Sequence, residues 1–369
     1  MYKLKQLINE LCPNGVEYAK LNTLLDYVEP TTYLVNDTNY NDAYEIPVLM
    51  SKQKFILGYT NDKEGVFNAS EEKPVIIFDD FTTSFHWVDF NFKVNSLAIK
   101  ILSEKDERKE NILLRYIYHC MKNIQYSPVG YSKEWIVKYS HFKIPLPPIQ
   151  VQKEIVRILD KFTQLTTQLT KELEARKKQY VYYRDKLLNV DHGDWQPLKN
   201  VITLTKGEHV TKNQLSEKGE YPVYQNSMTP LGYYKERNYP AKTTFMIGAG
   251  RVGLVGYSNV DFWAADNCYC LICPSDINSR YLYHALMHQQ QQIFSQVRKA
   301  NVPRIGREVI ERIKIPIPCL KEQQRIVDIL DRFDVLCNDL SNGLPAEIMM
   351  REQQYVYYRN KLLIFPKIR

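Results

Sequence analysis

The sequence has no apolar run long enough to cross a bilayer. Its opening residues, MYKLKQLINELCPNG, mix charges with apolar side chains and lack a small-residue cleavage site, so a secretory leader is not expected. Seven cysteines, an odd number without secretory spacing, predict reduced thiols in a cytoplasm rather than a disulfide framework. Also missing are a P-loop, the Asn-Pro-Pro-aromatic or Asp-Pro-Pro-aromatic tetrapeptide of a methyltransferase, and any Ser, His and Asp arrangement that stands out. These absences argue against a catalytic chain. What remains is 369 residues, enough for two ordinary domains, with 44% apolar and 25% charged side chains as in globular proteins. The net charge of +7 permits a polyanionic partner.

Four local patterns suggest chemistry, and each has a plainer reading. Gly248-Ala249-Gly250-Arg251-Val252-Gly253 matches GxGxxG, but the following LVGYSNVDFW favours a strand where a nucleotide site needs a helix. A glycine-rich hairpin is expected, with Arg251 at a tip within reach of a phosphate or base edge. Cys268, Cys270 and Cys273 lack the paired spacing of zinc ligands, and the alternation in DNCYCLIC predicts buried strand thiols. His284 and His288 are one helical turn apart without a catalytic Glu between them, and read as helix-surface or capping residues. Glu71 and Lys73, with Asp62 and Asp79, resemble a nuclease set only faintly and read as solvated turn residues.

The dominant feature is repetition. Ile144 to Leu188 opens with IPLPPIQVQKEIVRILDKF and closes with QYVYYRDKLL; Ile315 to Leu363 opens with IPIPCLKEQQRIVDILDRF and closes with QYVYYRNKLL. The openings are offset by 171 residues (Ile144 to Ile315) and the closings by 175 (Leu188 to Leu363), a difference of about one helical turn. Apolar residues at Ile155, Ile158, Leu159, Phe162, Leu165, Leu169, Leu173, Tyr180, Tyr183 and Leu187 follow the spacing of a coiled-coil seam. No Gly or Pro interrupts Gln150 to Leu188, so one helix of about 38 residues and roughly 55 Å is expected. The second copy holds Gly343 and Pro345 within SNGLP, which predicts a break near 341–345. A continuous helix packed against a broken one follows.

Exposed-type residues are duplicated along with apolar ones. Gln179, Tyr180, Tyr182, Tyr183, Arg184 and Lys186 return as Gln354, Tyr355, Tyr357, Tyr358, Arg359 and Lys361. Aromatic and Arg clusters favour interfaces, which makes Tyr180, Tyr183, Arg184, Tyr355, Tyr358 and Arg359 candidate partner-binding residues. Before each long helix lies a globular block: EYAKLNTLL opens the first and DWQPLKNVI the second. In the first, YEIPVLMS, KFILGYT and KPVIIFDDF read as strands and Asn111 to Met121 as a helix. The second repeats that order with YPVYQNS, TTFMIGAG, GLVGYS and NCYCLICP, then a helix from Arg280 to Phe294. The polar NVDHGDWQP links the two blocks.

Both blocks mix aromatic and basic residues. Candidate DNA contacts are Lys52, Lys54, Tyr59, His86, Trp87 and Lys133, beside Phe85, in the first. In the second they are Tyr224, Arg251, Tyr257, Lys299, Asn301, Arg304 and Arg307, beside Arg298. Arg, Lys and Asn read base edges, while Lys, Arg and hydroxyls hold phosphates. For any one of them an ordinary solvated surface is the plainer reading. Two blocks held apart by rigid helices would meet half-sites about one duplex turn, ~34 Å, apart.

Two globular blocks, each closed by IP-x-P, a Gln, IVxILDxF and QYxYYRxKLL, resemble the DNA-specificity subunit of Type I restriction-modification systems. The resemblance covers essentially the whole chain. It implies an α+β fold: two mixed α/β target-recognition domains related by pseudo-two-fold symmetry, separated by two long antiparallel helices forming a coiled coil. The corresponding segments are recognition domain 1 at 1–148, long helix 1 at 149–190, recognition domain 2 at 191–318, and long helix 2, broken near 341–345, at 319–369. It implies double-stranded DNA with an interrupted two-part target, two modification methyltransferase subunits and restriction nuclease-translocase subunits as partners, and no membrane. No cofactor or metal is expected in this chain; S-adenosylmethionine, ATP and Mg would belong to the partners. The recognition chain of another multi-subunit methylating nuclease, an enzyme binding nucleotide at Gly248–Gly253 and a protein scaffold are the alternatives.

Helices of fixed length would act as a ruler. Four residues inserted near Gln168 add about 6 Å, nearly two base-pair steps, and should change the spacer of the methylated site; an unchanged spacer would contradict the ruler.

Overall fold

Each globular block is built on a strand buried on both faces. The computed structural model describes residues 2–50, 55–128, 132–189, 194–298 and 303–368. Val75–Asp79 lies inside an antiparallel sheet ordered Leu25–Val28, Ile99–Glu104, Val75–Asp79, Phe85–Val88. Side chains alternate across a strand, so Ile76 and Phe78 enter one core with Leu114, Ile117, Ile155 and Leu159. Val75 and Ile77 enter a second core with Val88, Phe92 and Ile99. Ile56–Thr60, Ile46–Leu49 and Lys93–Val94 form a smaller sheet. Glu17–Lys20 pairs with Lys143–Leu146, making a stem through which the chain enters and leaves the block.

The second block repeats this strand for strand. Its larger sheet runs Thr203–Lys206, Cys268–Ile272, Thr243–Ile247, Val255–Ser258, and its smaller one Gly232–Tyr234, Tyr221–Tyr224, Trp263–Ala264. Trp195–Pro197 and Lys314–Pro316 form the stem. Met246 points into the core that holds Leu282, Leu286, Ile326 and Leu330, while Phe245 and Ile247 point into another.

The helices differ from expectation at their ends, for local reasons. The first-block helix is Leu114–Met121 and starts later than expected because Leu113 is extended and donates its amide to Gln152 Oε1 at 3.1 Å. The second-block helix divides into Ser279–His288 and Gln290–Ser295. At the division Gln289 leaves helical geometry, and its side-chain amide donates to the Lys314 carbonyl at 2.7 Å. The long helix is continuous over Ile149–Leu188, whereas its counterpart is Leu320–Asn338 followed by Leu344–Leu362. Asp339 makes the break: its Oδ1 accepts from the Ser341 and Asn342 amides at 2.6 and 3.2 Å. A methyl on Gly343 would stand 2.7 Å from the Asp339 carbonyl oxygen, so that position requires glycine. No helix among the described residues is long and apolar enough to cross a membrane.

Packing divides the chain inside its helices. One compact unit comprises residues 1–168 and 349–369, the other 169–348. Each therefore holds one block, the start of the long helix that follows it, and the QYVYYR end of the other copy. The first unit also holds the helix Tyr2–Leu11, and its two chain ends meet: the Val16 amide donates to the Pro366 carbonyl at 2.8 Å and the Tyr18 hydroxyl to the Phe365 carbonyl at 2.8 Å.

A buried Gln fastens each block to its helix. Gln152 Nε2 donates to the carbonyls of Pro147 at 2.8 Å and Asn111 at 3.0 Å. Gln323 does the same for Pro318 and Asp276 at 2.9 and 3.1 Å, and accepts the Asn278 amide at 2.8 Å. Gln152→Leu leaves buried backbone groups unpaired, at about 1–3 kcal/mol each. The expected result is a lower unfolding midpoint for the first unit and faster hydrogen exchange at the Leu113 amide, with the second unit unchanged. Retained protection at Leu113 would contradict the clamp.

Candidate functional site

Arg115 and His119 lie one helical turn apart and so face the same way. Both reach Asp160 on the long helix: Arg115 Nε donates to Asp160 Oδ1 at 2.8 Å, and His119 Nε2 is 2.9 Å from the same oxygen. His119 is fully buried, and its Nδ1 lies 3.0 Å from the Tyr355 hydroxyl. Tyr116, also buried, donates its hydroxyl to the Pro145 carbonyl at 3.1 Å. Burial holds the His119 pKa below the ordinary value, outweighing the Asp160 bond that raises it. For Asp160 burial is the largest single influence and raises its pKa, but the His119 and Arg115 bonds together bring it below the ordinary carboxylate value. A neutral His119 then donates from Nε2 to the carboxylate and accepts the Tyr355 hydroxyl at Nδ1.

The second unit carries the same hub. Arg280 Nε donates to Asp331 Oδ1 at 2.7 Å, His284 Nε2 lies 2.6 Å from that oxygen, and the Tyr281 hydroxyl donates to the Pro316 carbonyl at 2.7 Å. Arg280 also reaches Asp334 at 2.9 Å. His284, expected on a helix surface, is fully buried, because its face of the helix is the one turned to Asp331. His288 is partly buried, 3.1 Å from Asp185 and 2.9 Å from Asn189. The sequence signal for the hub is Arg-Tyr-x-Tyr-His at 115–119 and again at 280–284, a repeat that attention to the long helices passes over.

The hub holds two residues expected to touch DNA. Arg115 lies over the rings of Trp87 and Tyr118 at 4.7 and 5.0 Å, and Arg280 over those of Tyr257 and Tyr283 at 4.8 and 4.6 Å. Trp87 and Tyr257 occupy matching edge strands, so each joins its sheet to the hub. The other candidates scatter. Tyr59 lines a shallow groove with Glu45, Glu71 and Asp89, an acidic setting. His86 stacks on Phe55 at 4.6 Å, and Tyr224 packs on Phe245 at 4.9 Å. Lys133 is exposed just before the short helix Glu134–Val137. Arg307 is exposed and paired with Glu311 at 2.7 Å. Lys52, Lys54, Lys299 and Asn301 lie outside the described residues. Arg251 and Arg304 do come together: Gly248–Gly253 turns the antiparallel hairpin Thr243–Ile247/Val255–Ser258, and Ala249 in that turn bridges to Arg304. A hairpin there leaves no helix N-terminus for a dinucleotide phosphate.

The remaining motifs serve structure. Cys268 and Cys270 are buried on a strand, and burial pushes the Cys268 thiol to about 12 and Cys270 upward as well. Asp62 pairs with buried Lys93 at 2.8 Å, and Asp79 Oδ1 accepts the Phe81 and Thr82 amides. Among the described residues no group of three His, Cys, Asp or Glu is placed to hold a metal ion.

On the helices the repeated tyrosines divide by face. Tyr183 stacks on Phe333 at 5.8 Å and Tyr358 on Phe162 at 5.2 Å. Burial lifts the phenols of Tyr180 and Tyr355 to about 12. Arg184 and Arg359 lie over those two rings at 5.9 and 5.5 Å. Five of these six candidate partner residues are partly buried against their own unit, and Tyr183 is 37% exposed. The most exposed of these tyrosines are Tyr182, 60% exposed, and Tyr357, 58% exposed, each beneath a lysine and next to an exposed valine, Val181 or Val356.

The chain matches the model of the Type I restriction modification DNA specificity domain twice, over residues 13–176 and 192–350. It is 38% identical to the specificity subunit of the EcoR124I/EcoR124II Type I restriction enzyme of Escherichia coli, over 95% of both chains. Its fold is that of the S subunit of a Type I restriction-modification system from M. genitalium, with a TM-score of 0.70 at 16% identity over 95% of this chain and 97% of that one. A chain from a structure of Type I complex assembly and conformational transition matches at a TM-score of 0.53 and 16% identity, over 96% and 98% of the two chains.

The buried His119 gives the first unit a pH dependence. Its pKa in the fold lies below the ordinary 6.5, so below about pH 6.5 the unfolded chain takes up a proton that the folded one resists. Stability of the first unit should therefore fall as pH drops from 7 toward 5. Denaturant unfolding of His119→Gln at both pH values should show a smaller fall than in the native protein; an equal fall would contradict the assignment.

Proposed function

We propose, from the premise that this chain belongs to the Type I restriction-modification DNA specificity family, that each unit reads one half of an interrupted double-stranded DNA target. The observation that supports this reading most is the repetition of one hub beneath two blocks whose loops differ. Asp160 and Asp331, the clamping Gln152 and Gln323, and the stems are alike in the two units, whereas the hairpin tips are not. A reader of two unlike half-sites needs that combination: a constant mounting and a variable surface.

The outward helix residues support a docking role. Val181, Tyr182 and Lys186 recur as Val356, Tyr357 and Lys361, exposed in both copies. Packing within the chain does not account for an exposed set kept twice, and a partner present in two copies does. These are the two modification methyltransferase subunits; the restriction nuclease-translocase subunits join through the complex. S-adenosylmethionine, ATP and Mg serve those partners, and this chain supplies the address.

Methylation mapping by single-molecule sequencing tests the reading, in a methylation-deficient host carrying the methyltransferase with or without this chain. A two-part motif appearing only with this chain is expected, and Tyr182→Ala with Tyr357→Ala should weaken co-purification of the methyltransferase and reduce methylation at that motif. No new motif from a complex shown to assemble would overturn the reading in favour of a scaffold.

A further inference from the structure

The two hairpin tips differ in chemistry although their mountings agree. In the second unit, Ala249 of the turn bridges to Arg304, Arg304 bridges to Arg298, and the Arg251 amide donates to the Asn226 carbonyl at 3.0 Å. Three arginines from two segments thus converge on one tip. All three are exposed, and none forms an ion pair with another described residue. The tip is also held firmly. The Gly248 amide donates to the Asn267 carbonyl at 2.6 Å, the Ile305 amide to the Gly248 carbonyl at 3.1 Å and the Arg298 amide to the Arg304 carbonyl at 3.1 Å. Gly250 has φ +89°, and a methyl there would stand 2.8 Å from Asn226 Cβ, so the turn is pressed onto Asn226. Asn226 Oδ1 in turn accepts from Asn267 Nδ2 at 2.8 Å.

The matching turn of the first unit, residues 80–84, contains no arginine. It presents exposed Phe81 and Thr82, while its one acid, Asp80, faces inward. Asp80 accepts the Trp135 amide at 2.9 Å and pairs with buried Lys100 at 3.4 Å.

A fixed backbone bearing guanidinium groups that pair with no acid among the described residues suits a rigid, anionic partner. Arg has the planar fork that matches the O6 and N7 acceptors of guanine in the major groove, and Lys does not. We propose that the second unit's tip reads a G·C pair in one half of the target, with Arg251 at the apex on the guanine edge and Arg298 and Arg304 on the flanking phosphates. The first unit reads its half without an arginine at the tip. This deepens the DNA-reading function proposed above and rests on it.

The test uses the assembled methyltransferase complex on duplexes in which every position of the mapped motif is changed in turn. Arg251→Ala and Arg251→Lys should each lower discrimination at one G·C position in one half by about tenfold or more, leaving the other half and the spacer as they were. The Lys variant keeps the charge and so tests the fork even if the Ala variant folds poorly. Arg304→Ala should weaken binding to all sequences alike and reduce the salt slope by about one. An unchanged profile in Arg251→Lys, or a loss spread evenly over both halves, would overturn the proposal. The native complex run alongside separates the two levels. If it shows no two-part motif, the DNA-reading function itself fails. If it shows one and the Arg251 variants match it, only the assignment of this tip fails.

Discussion

One carboxylate oxygen in each unit holds the structure to its purpose. Asp160 Oδ1 and Asp331 Oδ1 each receive an arginine and a histidine from the block above. A partly shielded carboxylate is costly unless donors replace the lost water, and the two donors here come from one turn of one helix. The geometry is therefore set by the helix itself. Because each Arg also lies over a ring on an edge strand, the sheet, the block helix and the long helix are fixed through a single group.

Such a mounting frees the rest of the block to vary. The stem strands bring the chain in and out side by side, and the clamping glutamine ties the start of the long helix to the loop before the block helix. Neither uses residues from the hairpin tips. Tips as unlike as one with three arginines and one with Phe81 and Thr82 sit on mountings that share the Arg–Asp, His–Asp, Tyr–carbonyl and Gln–carbonyl hydrogen bonds. The recognised bases can then change without the assembly changing.

Much of this was legible in the sequence. Unbroken spacing from Gln150 to Leu188 gave one continuous helix, and Gly343 with Pro345 gave the break in its counterpart. Short apolar runs in VIIFD and TTFMI, bounded by polar and turn residues, gave the strands buried on both faces. The hub was not read, because Arg115 and Asp160 are 45 residues apart and a pattern of faces does not say which face meets which. Trp87 and Tyr257 looked like surface aromatics for the same reason. Tyr180 is partly buried and Tyr182, two residues on, is 60% exposed; helical spacing alone would have separated them. The arginines at the second tip are distant in sequence and meet only through the bridges of Arg304.

Each mounting should carry an independent reader. Exchanging residues 21–142, which lie between the first pair of stem strands, for the matching block of another family member tests it directly. Methylation mapping of the hybrid should show one half of the motif replaced, with the other half and the spacer kept. A change in both halves or in the spacer would contradict the claim, because the blocks would then not be independent of the helices that carry them.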